Sequence, residues 1–199
     1  LLQQRVNCAT VDDLINANKL ISRIKDFSHT QIHIQSIPLS EAILVVASDS
    51  SWGNTDDLGN QAGYFTLLAH RDLEKKVWAK VSPLRWKSYK VDRKTPSTLG
   101  AELVAVSRAI SEGNWLRSML GEALHHNYTL DQDHHFRDQL KLMILVDCKP
   151  IYDHCLGEQS TIRDKRLAIE MLIVRRDLRN QNSELRWIDT RQMISDPLT

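Results

Sequence analysis

Two short apolar segments, each followed by an aspartate, constrain the fold of this chain more than any other feature. Residues 42–48 have the sequence AILVVAS and precede Asp49, and residues 142–146 have the sequence LMILV and precede Asp147. Short runs rich in branched apolar residues are typical of strands buried on both faces, as in parallel sheets. Because the carboxyl ends of such strands meet at one edge of a sheet, we expect Asp49 and Asp147 to lie close together.

The segments between and after these two strands predict the rest of a domain. Glycine-bounded and alternating patterns predict three more strands, over 61–70, 83–90 and 184–188. Apolar residues at helical spacing predict three helices, over 98–120, 151–156 and 161–178. Gly113 is a candidate break in the first of these helices, and the polar, histidine-rich residues 121–141 favour a connection. This order of strands and helices is typical of an α/β domain.

The first forty residues differ in pattern from the rest of the chain. Thr10 stands three residues before Asp13, which is the spacing of a helix N-terminal capping box, and apolar residues then recur at helical spacing. The pattern predicts a helix over 11–27. Residues 28–40 carry Pro38 and alternate only weakly, which is typical of a linker or a short edge strand. We therefore expect an N-terminal helix and linker over 1–40 and a main domain over 41–199.

The composition is that of a folded globular protein. Apolar residues make up 42% of the 199 positions, and 26 Lys and Arg balance 25 Asp and Glu. No apolar run approaches the roughly 20 residues that span a bilayer, and the first ten residues lack the order of a secretory signal. A membrane association is therefore not expected.

Cysteine usage points to a reducing compartment. The chain has three cysteines, Cys8, Cys148 and Cys155, with no CxxC spacing between them. An odd number without that spacing indicates neither a disulfide framework nor a zinc site. We expect reduced packing residues in an intracellular protein.

The segment 71–94 is strongly basic although the whole chain is nearly neutral. It contains nine Lys and Arg against three Asp and Glu, with Trp78, Trp86 and Tyr89 interleaved. Cations with flat rings between them are typical of a surface that binds nucleic acid. The other interpretation is a solvated basic hairpin whose tryptophans pack inward, and the pattern alone leaves both open.

Four acids stand near the ends of predicted elements and are considered together as one candidate site. They are Asp49 after the first strand, Glu102 in the first turns of the long helix, Asp147 after the fourth strand and Asp196 just past the fifth strand. Carboxylates gathered in one place raise one another's pKa unless a cation neutralises them, and Mg²⁺ prefers such hard oxygen ligands. Two metal ions held roughly 3.5–4 Å apart support in-line hydrolysis of a phosphodiester. Composition alone does not single out these four among 25 acids.

Seven short motifs resemble, in order, the ribonuclease H domain that follows reverse transcriptase in copia-type retrotransposons. The first is similar to that family's Ser-Asp-Ala-Asp-Trp-Ala-Gly strand motif, and the last to its closing Gln-Leu-Ala-Asp-Ile-Leu-Thr. The motifs are SDSSWGN at 48–54, QAGYFTLL at 61–68, LRWKSYK at 84–90, TPSTLGAEL at 95–103, LVDCKPI at 145–151, DKRLAIEM at 164–171 and RQMISDPLT at 191–199.

The resemblance covers residues 42–199 and implies a fold and an activity. It implies a ribonuclease H-like fold, with a five-stranded mixed sheet of three antiparallel and two parallel strands flanked by helices. It implies that the four carboxylates named above are catalytic and hold two Mg²⁺ ions, for which Mn²⁺ substitutes. The implied reaction is cleavage of the RNA strand of an RNA/DNA hybrid.

The resemblance also implies partners and a location. Residues 1–41 look like the tail of a preceding reverse-transcriptase region, which makes the polymerase of the same polyprotein an expected partner beside the RNA/DNA hybrid. The expected location is the cytoplasm, within a virus-like particle, or the nucleus.

Candidate residues for binding nucleic acid are Arg85, Lys87, Lys90 and Lys149. Lys149 stands where the family has a polar residue after the fourth-strand acid, so it would either contact a phosphate or compete with a metal ion. No shuttle histidine is expected, because residues 189–192 contain none. The adjacent histidine pairs at 125–126 and 134–135 lack the spacing of a zinc site.

Three alternatives remain open at this stage. Glu170 is an alternative fourth acid, although a surface ion pair suits its place on a helix better. A catalytically inactive domain of the same fold would bind hybrid or brace the polymerase. A DNA-transposing or integrating nuclease on this fold would normally use three acids.

Overall fold

The computed structural model of the chain describes residues 6–53, 59–95, 97–157, 162, 164–180 and 182–199. Thr161, the predicted start of a helix, lies outside the described residues, as do Asn54 and Pro96 of the motifs above. The chain divides into two compact units, Leu1–His33 and Ile34–Thr199. That residues 1–40 form a separate polymerase tail stays a prediction.

In its described part, from residue 6 onward, the first unit contains one α-helix, α1, over Val11–Asp26. The predicted capping box is present, since the Thr10 backbone N–H donates to Asp13 Oδ2 at 2.9 Å and the Asp13 N–H donates to Thr10 Oγ1 at 3.3 Å. No residue of α1 is buried. The helix is therefore held by its caps and backbone hydrogen bonds.

The second unit is built on one five-stranded sheet in the order β3-β2-β1-β4-β5. The strands are β1 Ala42–Ser51, β2 Gln61–His70, β3 Val81–Lys90, β4 Leu142–Val146 and β5 Ser183–Trp187. β1 pairs antiparallel with β2 and parallel with β4, while β3 is antiparallel to β2 and β5 is parallel to β4. The mixed sheet expected from the sequence is confirmed.

β1 is longer than the sequence predicts. It continues through Ser51 because β2 pairs with it along its whole length, as far as Gln61. Asp49 therefore lies within the strand, opposite Gly63, instead of directly after its end. The expectation that β1 ends at residue 48 is wrong.

Helices cover one face of the sheet. They are α2 Thr98–Leu124, α4 Lys149–Leu156 and α5 Lys165–Asn180, with the shorter α3 over Asp133–Gln139. The main core includes Leu44 and Val46 of β1, Leu103 and Ile110 of α2, and Met171 of α5. Burial of this apolar surface is the main source of stability for such a layered arrangement.

The predicted break at Gly113 is wrong, because α2 is continuous over 27 residues. Gly113 instead allows a close approach of helix to sheet, since a Cβ atom there would lie 2.6 Å from Leu142 Cδ1. A small residue at a helix–strand contact is an alternative to a helix break, and the pattern alone does not distinguish the two.

The segment predicted as a connection contains helical structure. α2 continues to Leu124, and α3 follows after a short turn. Phe136 of α3 packs against Tyr128 with ring centroids 5.1 Å apart, and the Tyr128 hydroxyl donates to Asp133 Oδ1 at 2.7 Å. A seven-residue helix with one large apolar residue gives no periodicity to detect.

The opposite face of the sheet is covered less completely. Ile43 and Val45, which alternate with the core residues of β1, form a second cluster there with Leu67, Ala69 and Met143. An open groove of about 760 Å³ lies beside this cluster, and Trp78, Met143, Leu145 and Trp187 are among the residues that line it.

The three cysteines have free thiols. Cys155 is buried in the main core with its sulfur 3.3 Å from that of Met171, and Cys148 is half-buried. Cys8 is exposed, so the expectation that it is a packing residue is wrong. Among the described residues, no helix has the length and apolar character to cross a membrane.

Candidate metal centre and active site

Three carboxylates meet at one edge of the sheet. Asp49 lies near the end of β1, and Asp147 directly follows β4, which runs parallel to β1 with Ala47 opposite Leu145. Asp196 begins a short 3₁₀ turn over Asp196–Leu198. One carboxylate oxygen from each of the three lies within 4.8 Å of the others. The expected proximity of Asp49 and Asp147 is therefore found.

The Asp196–Leu198 turn is held against β2 and β3. Gly63 of β2 leaves room for it, since a Cβ atom at that position would lie 2.5 Å from Leu198 Cβ. The Ser88 hydroxyl of β3 donates to the Leu198 carbonyl at 2.5 Å, and the Thr199 hydroxyl lies 2.5 Å from Asp49 Oδ2. These contacts bring Asp196 to the two strand-borne acids.

Asp147 is held from the side of β5. The Trp187 indole N–H donates to the Asp147 carbonyl at 2.8 Å, and the Thr190 hydroxyl donates to Asp147 Oδ2 at 2.8 Å. Ser88 and Thr199 lie within quoted motifs but were not named as site residues, and no motif includes Thr190.

Glu102 stands beside the three aspartates. It lies in the first turns of α2, where the Ser97 hydroxyl caps the helix by accepting from the Gly100 N–H at 3.2 Å. Burial, and then the charges of Asp49 and Asp147, raise the pKa of Glu102 to about 8, against a lowering effect of Ser50. Glu102 is not one of the three residues whose oxygens group within 4.8 Å.

The aspartates influence one another in the same direction. Burial, with a smaller effect of the Asp147 charge, raises the pKa of Asp49, although hydrogen bonds from Thr199 and the Ser50 backbone oppose the rise. The pKa of Asp196 is raised by desolvation and then by the charges of Asp49 and Asp147. These shifts are those of acids gathered without a compensating cation.

The cations near the cluster in sequence pair elsewhere. Lys149 forms an ion pair with Asp153, and Arg191 pairs with Asp189 at 2.9 Å. No ion pair within the described part of the chain involves Asp49, Glu102, Asp147 or Asp196. The donor set of carboxylate oxygens is the one that Mg²⁺ and Mn²⁺ prefer, so the residues present fit such ions.

The four candidate nucleic-acid residues lie at different places. Arg85 is level with Thr66 in the middle of β2, pairs with Glu112 at 3.5 Å and stacks over the Trp115 ring at 4.8 Å. Lys87 lies 5.8 Å from the centre of the Tyr89 ring. Lys90 is the last residue of β3 and lies opposite Gln61, at the edge of the sheet where the acids lie. Lys149 lies on α4, over the ring of Tyr152. Their role in binding stays a prediction.

A basic cleft lies between the end of the basic segment and α5. The residues that line it are not among the four nucleic-acid candidates named from the sequence. Arg93, Lys94 and Arg166 line an open space of about 380 Å³ together with Thr95, Leu167 and one acid, Asp164. Glu170 lies near it and pairs with Arg93 at 3.4 Å. Glu170 is thus not part of the three-aspartate group, and it forms the ion pair that was expected of it, with Arg93 as its partner.

The two tryptophans of the basic segment are exposed, whereas Tyr89 is partly buried against the core. The accessible surface of Trp78 is 102% of that of a fully exposed tryptophan, and the accessible surface of Trp86 is 50% of it. Trp86 stacks on Phe65 with ring centroids 5.8 Å apart. Inward packing of both tryptophans, one of the two interpretations of this segment, is therefore wrong.

Comparison of sequences finds no protein-family model that matches the chain and no similar curated protein. Comparison of structures does find similar folds. The N-terminal ribonuclease H domain of a Mycobacterium tuberculosis protein has a TM-score of 0.50 and 12% identity, over 79% of this chain and 91% of that one. RNase H1 from Halobacterium salinarum has a TM-score of 0.50 and 12% identity, over 78% and 92%.

A third similar structure is an RNase H1 named LC11, solved in complex with an RNA/DNA hybrid. Its TM-score is 0.50 and its identity 14%, over 78% of this chain and 92% of that one. At this level of identity the comparisons establish the fold. Residues 34–199 have a ribonuclease H-like fold, with a group of acidic residues at the edge of the sheet.

Proposed function

We propose that this chain is a metal-dependent endoribonuclease that hydrolyses the RNA strand of RNA/DNA hybrids. The observation that carries the proposal is the meeting of Asp49, Asp147 and Asp196 within 4.8 Å, with Glu102 beside them, on a ribonuclease H-like fold. A gathering of uncompensated carboxylates destabilises the protein unless it serves to hold cations.

The chemistry follows from the four carboxylates. Asp49, Asp147 and Asp196, with Glu102 close to the first two, would together hold two divalent metal ions. When bound, such ions supply an activated water and neutralise the charge that develops on the leaving oxygen. The carboxylates would set where those ions are held and, through the ions, where the scissile phosphate lies.

The substrate side of the proposal rests on the basic cleft. Arg93, Lys94 and Arg166 present cations to one side of the α2 N-terminus, on the helix that carries Glu102. Contacts of this kind go to phosphates and position a duplex without reading its sequence. The LC11 enzyme, which shares this fold, was solved with an RNA/DNA hybrid, and this supports the same substrate class here. Recognition of 2′-hydroxyls would distinguish the RNA strand.

We further propose that the chain is part of a copia-type retrotransposon polyprotein. The seven ordered motifs support this origin, and with it a partnership with the reverse-transcriptase region of the same polyprotein. The proposed location is intracellular, in a cytoplasmic particle or the nucleus.

The test is cleavage of a labelled RNA strand in the presence of Mg²⁺, with an RNA/DNA hybrid, an RNA duplex and a DNA duplex as substrates. We expect cleavage of the hybrid alone, its abolition by a chelator and its loss in Asp147→Asn. Asp131→Asn is the matched control, because Asp131 is an exposed acid in the turn over Leu130–Gln132, outside the cluster. Binding of the hybrid without cleavage would replace the proposal with a non-catalytic domain of the same fold.

A further inference from the structure

The residues at the end of β5 and directly after it contact Asp147 and its neighbour Val146. The pairing of β4 with β5 ends with Val146 opposite Trp187, and the Ile188 N–H then donates to the Val146 carbonyl at 2.9 Å. This hydrogen bond extends the parallel pairing of β4 and β5 by one residue, and Asp147 is the next residue of the chain after β4. The chain after β5 therefore passes directly beside the acid.

A second contact fixes the backbone of Asp147. The indole N–H of Trp187 donates to the Asp147 carbonyl at 2.8 Å. A carbonyl that follows the last residue of a strand has no partner within the sheet, so this side chain supplies one. The position of the Asp147 Cα is thereby set from β5.

A third contact reaches the carboxylate itself. A short 3₁₀ turn over Thr190–Gln192 follows β5, and Asp189 caps it by accepting from the Arg191 N–H at 3.0 Å. The turn directs the Thr190 hydroxyl to Asp147 Oδ2, at 2.8 Å. The cap at Asp189 thus determines where the hydroxyl of its neighbour points.

We propose that Thr190 is a positioning residue that orients the Asp147 carboxylate for metal binding; this inference rests on the proposed function. A hydroxyl that donates to Oδ2 restrains the side-chain torsion of Asp147 and so restrains where both carboxylate oxygens lie. Trp187 fixes the backbone of the same residue, so the two contacts hold both ends of one ligand. Neither residue touches the substrate in this account.

The expected size of the effect follows from the behaviour of groups that orient metal ligands. Loss of such a group typically costs about 10- to 100-fold in metal affinity, because the ligand must be ordered at the moment of binding. The cost falls on metal affinity more than on folding, since Thr190 is exposed and its hydrogen bond is at the surface.

The test compares Thr190→Val, which keeps the shape and removes the hydroxyl, with Thr190→Ser, which keeps the hydroxyl. The first measurement is the affinity of the full chain for Mn²⁺ in the absence of substrate, with binding detected by electron paramagnetic resonance. The dependence of the hybrid cleavage rate on Mg²⁺ concentration is the second, and urea unfolding in a chelator is the third. Thr129→Val is the matched control, because Thr129 is exposed and its side chain makes no capping bond.

We expect Thr190→Val to lower Mn²⁺ affinity about 10- to 100-fold and to raise the Mg²⁺ concentration needed for half-maximal rate by a similar factor. Near-normal cleavage should return at saturating Mg²⁺, and Thr190→Ser should bind Mn²⁺ within a few-fold of the parent chain. The urea midpoints of all variants should agree.

The outcomes separate the two proposals. Unchanged Mn²⁺ affinity in Thr190→Val overturns the positioning role alone, and so does a loss that serine does not rescue and that a lower urea midpoint accompanies. A parent chain that binds Mn²⁺ and cleaves no hybrid overturns the proposed function alone. A parent chain that binds no Mn²⁺ overturns both.

Discussion

Gly63 and Leu198 approach so closely that no larger residue fits at position 63. A Cβ atom on Gly63 would lie 2.5 Å from Leu198 Cβ and 3.3 Å from the Leu198 carbonyl carbon and oxygen. Gly63 also lies opposite Asp49 in the pairing of β1 with β2. One glycine on β2 thus lets the turn that carries Asp196 lie against the sheet beside β1, the strand that carries Asp49.

We therefore expect Gly63→Ala to displace the Asp196–Leu198 turn and to weaken metal binding about tenfold, the lower end of what loss of a supporting contact costs. Mn²⁺ titration of the full chain measures the affinity, and circular dichroism checks that the fold is kept. Leu198→Gly in the same chain removes the atom at 2.5 Å and should restore most of the affinity. Equal affinities in Gly63→Ala and the parent chain would contradict this account.

Asp196 and Glu170 should differ sharply in their effect on hydrolysis. Asp196→Asn removes an acid of the three-carboxylate group, and we expect cleavage of the hybrid to fall by at least about 100-fold, since metal-supported charge stabilisation contributes several kcal/mol. Glu170→Gln breaks only the ion pair with Arg93, so the rate should stay within about threefold, as exposed pairs contribute little. Single-turnover cleavage rates make the comparison, and equal losses would show that Asp196 is wrongly assigned.

Glu102 should make the metal-free protein less stable as the pH rises. Its pKa is about 8 in the folded chain against an ordinary value of 4.5, so the folded state binds a proton that the unfolded state releases. The stability from the neutral acid is fully present below pH 4.5 and is lost as the pH rises through about 8. Urea midpoints in a chelator should fall across this range.

Glu102→Gln is the variant that isolates this contribution, because the amide cannot titrate. We expect its urea midpoint to change less between pH 4.5 and 8 than that of the parent chain, while Glu170→Gln keeps the full change. A parent chain whose midpoint rises over this range would contradict the raised pKa.

The basic cleft should act on substrate binding and leave the chemical step unchanged. Arg93→Ala removes one cation from the cleft, and we expect the slope of log Kd against log salt concentration to decrease by about 1, as for the loss of one phosphate contact. Fluorescence anisotropy with a labelled hybrid, without divalent metal, gives the slope. Arg176→Ala is the control, because Arg176 is an exposed arginine that pairs with Asp177 and lies outside both the cleft and the basic segment. The same slope in both variants would exclude a phosphate contact by Arg93.

The part of the fold that local pattern dictates could be predicted from the sequence. The apolar runs of β1 and β4 are short, branched and each followed by an acid, so both their burial and the meeting of Asp49 with Asp147 follow from them. Glu102 and Asp196 needed the resemblance of whole motifs, because an isolated acid on a helix or in a turn has no distinguishing pattern.

The rest depends on contacts between distant residues. Thr190 reaches Asp147 across 43 positions and Thr199 reaches Asp49 across 150, and no local pattern marks a threonine for such a role. Gly113 shows the same limit, since its function is to admit Leu142 of a later strand. The exposure of Trp78 and Trp86 likewise depends on which side of the sheet the helices cover.

The distance along the chain between the acids has a consequence for how the protein folds. The Thr199–Asp49 contact closes a loop of 150 positions, so the cluster forms only when the whole sheet is in place. Contacts of such high sequence separation form late and slowly. A divalent ion would therefore bind the native state and no earlier intermediate, and would slow unfolding without accelerating folding.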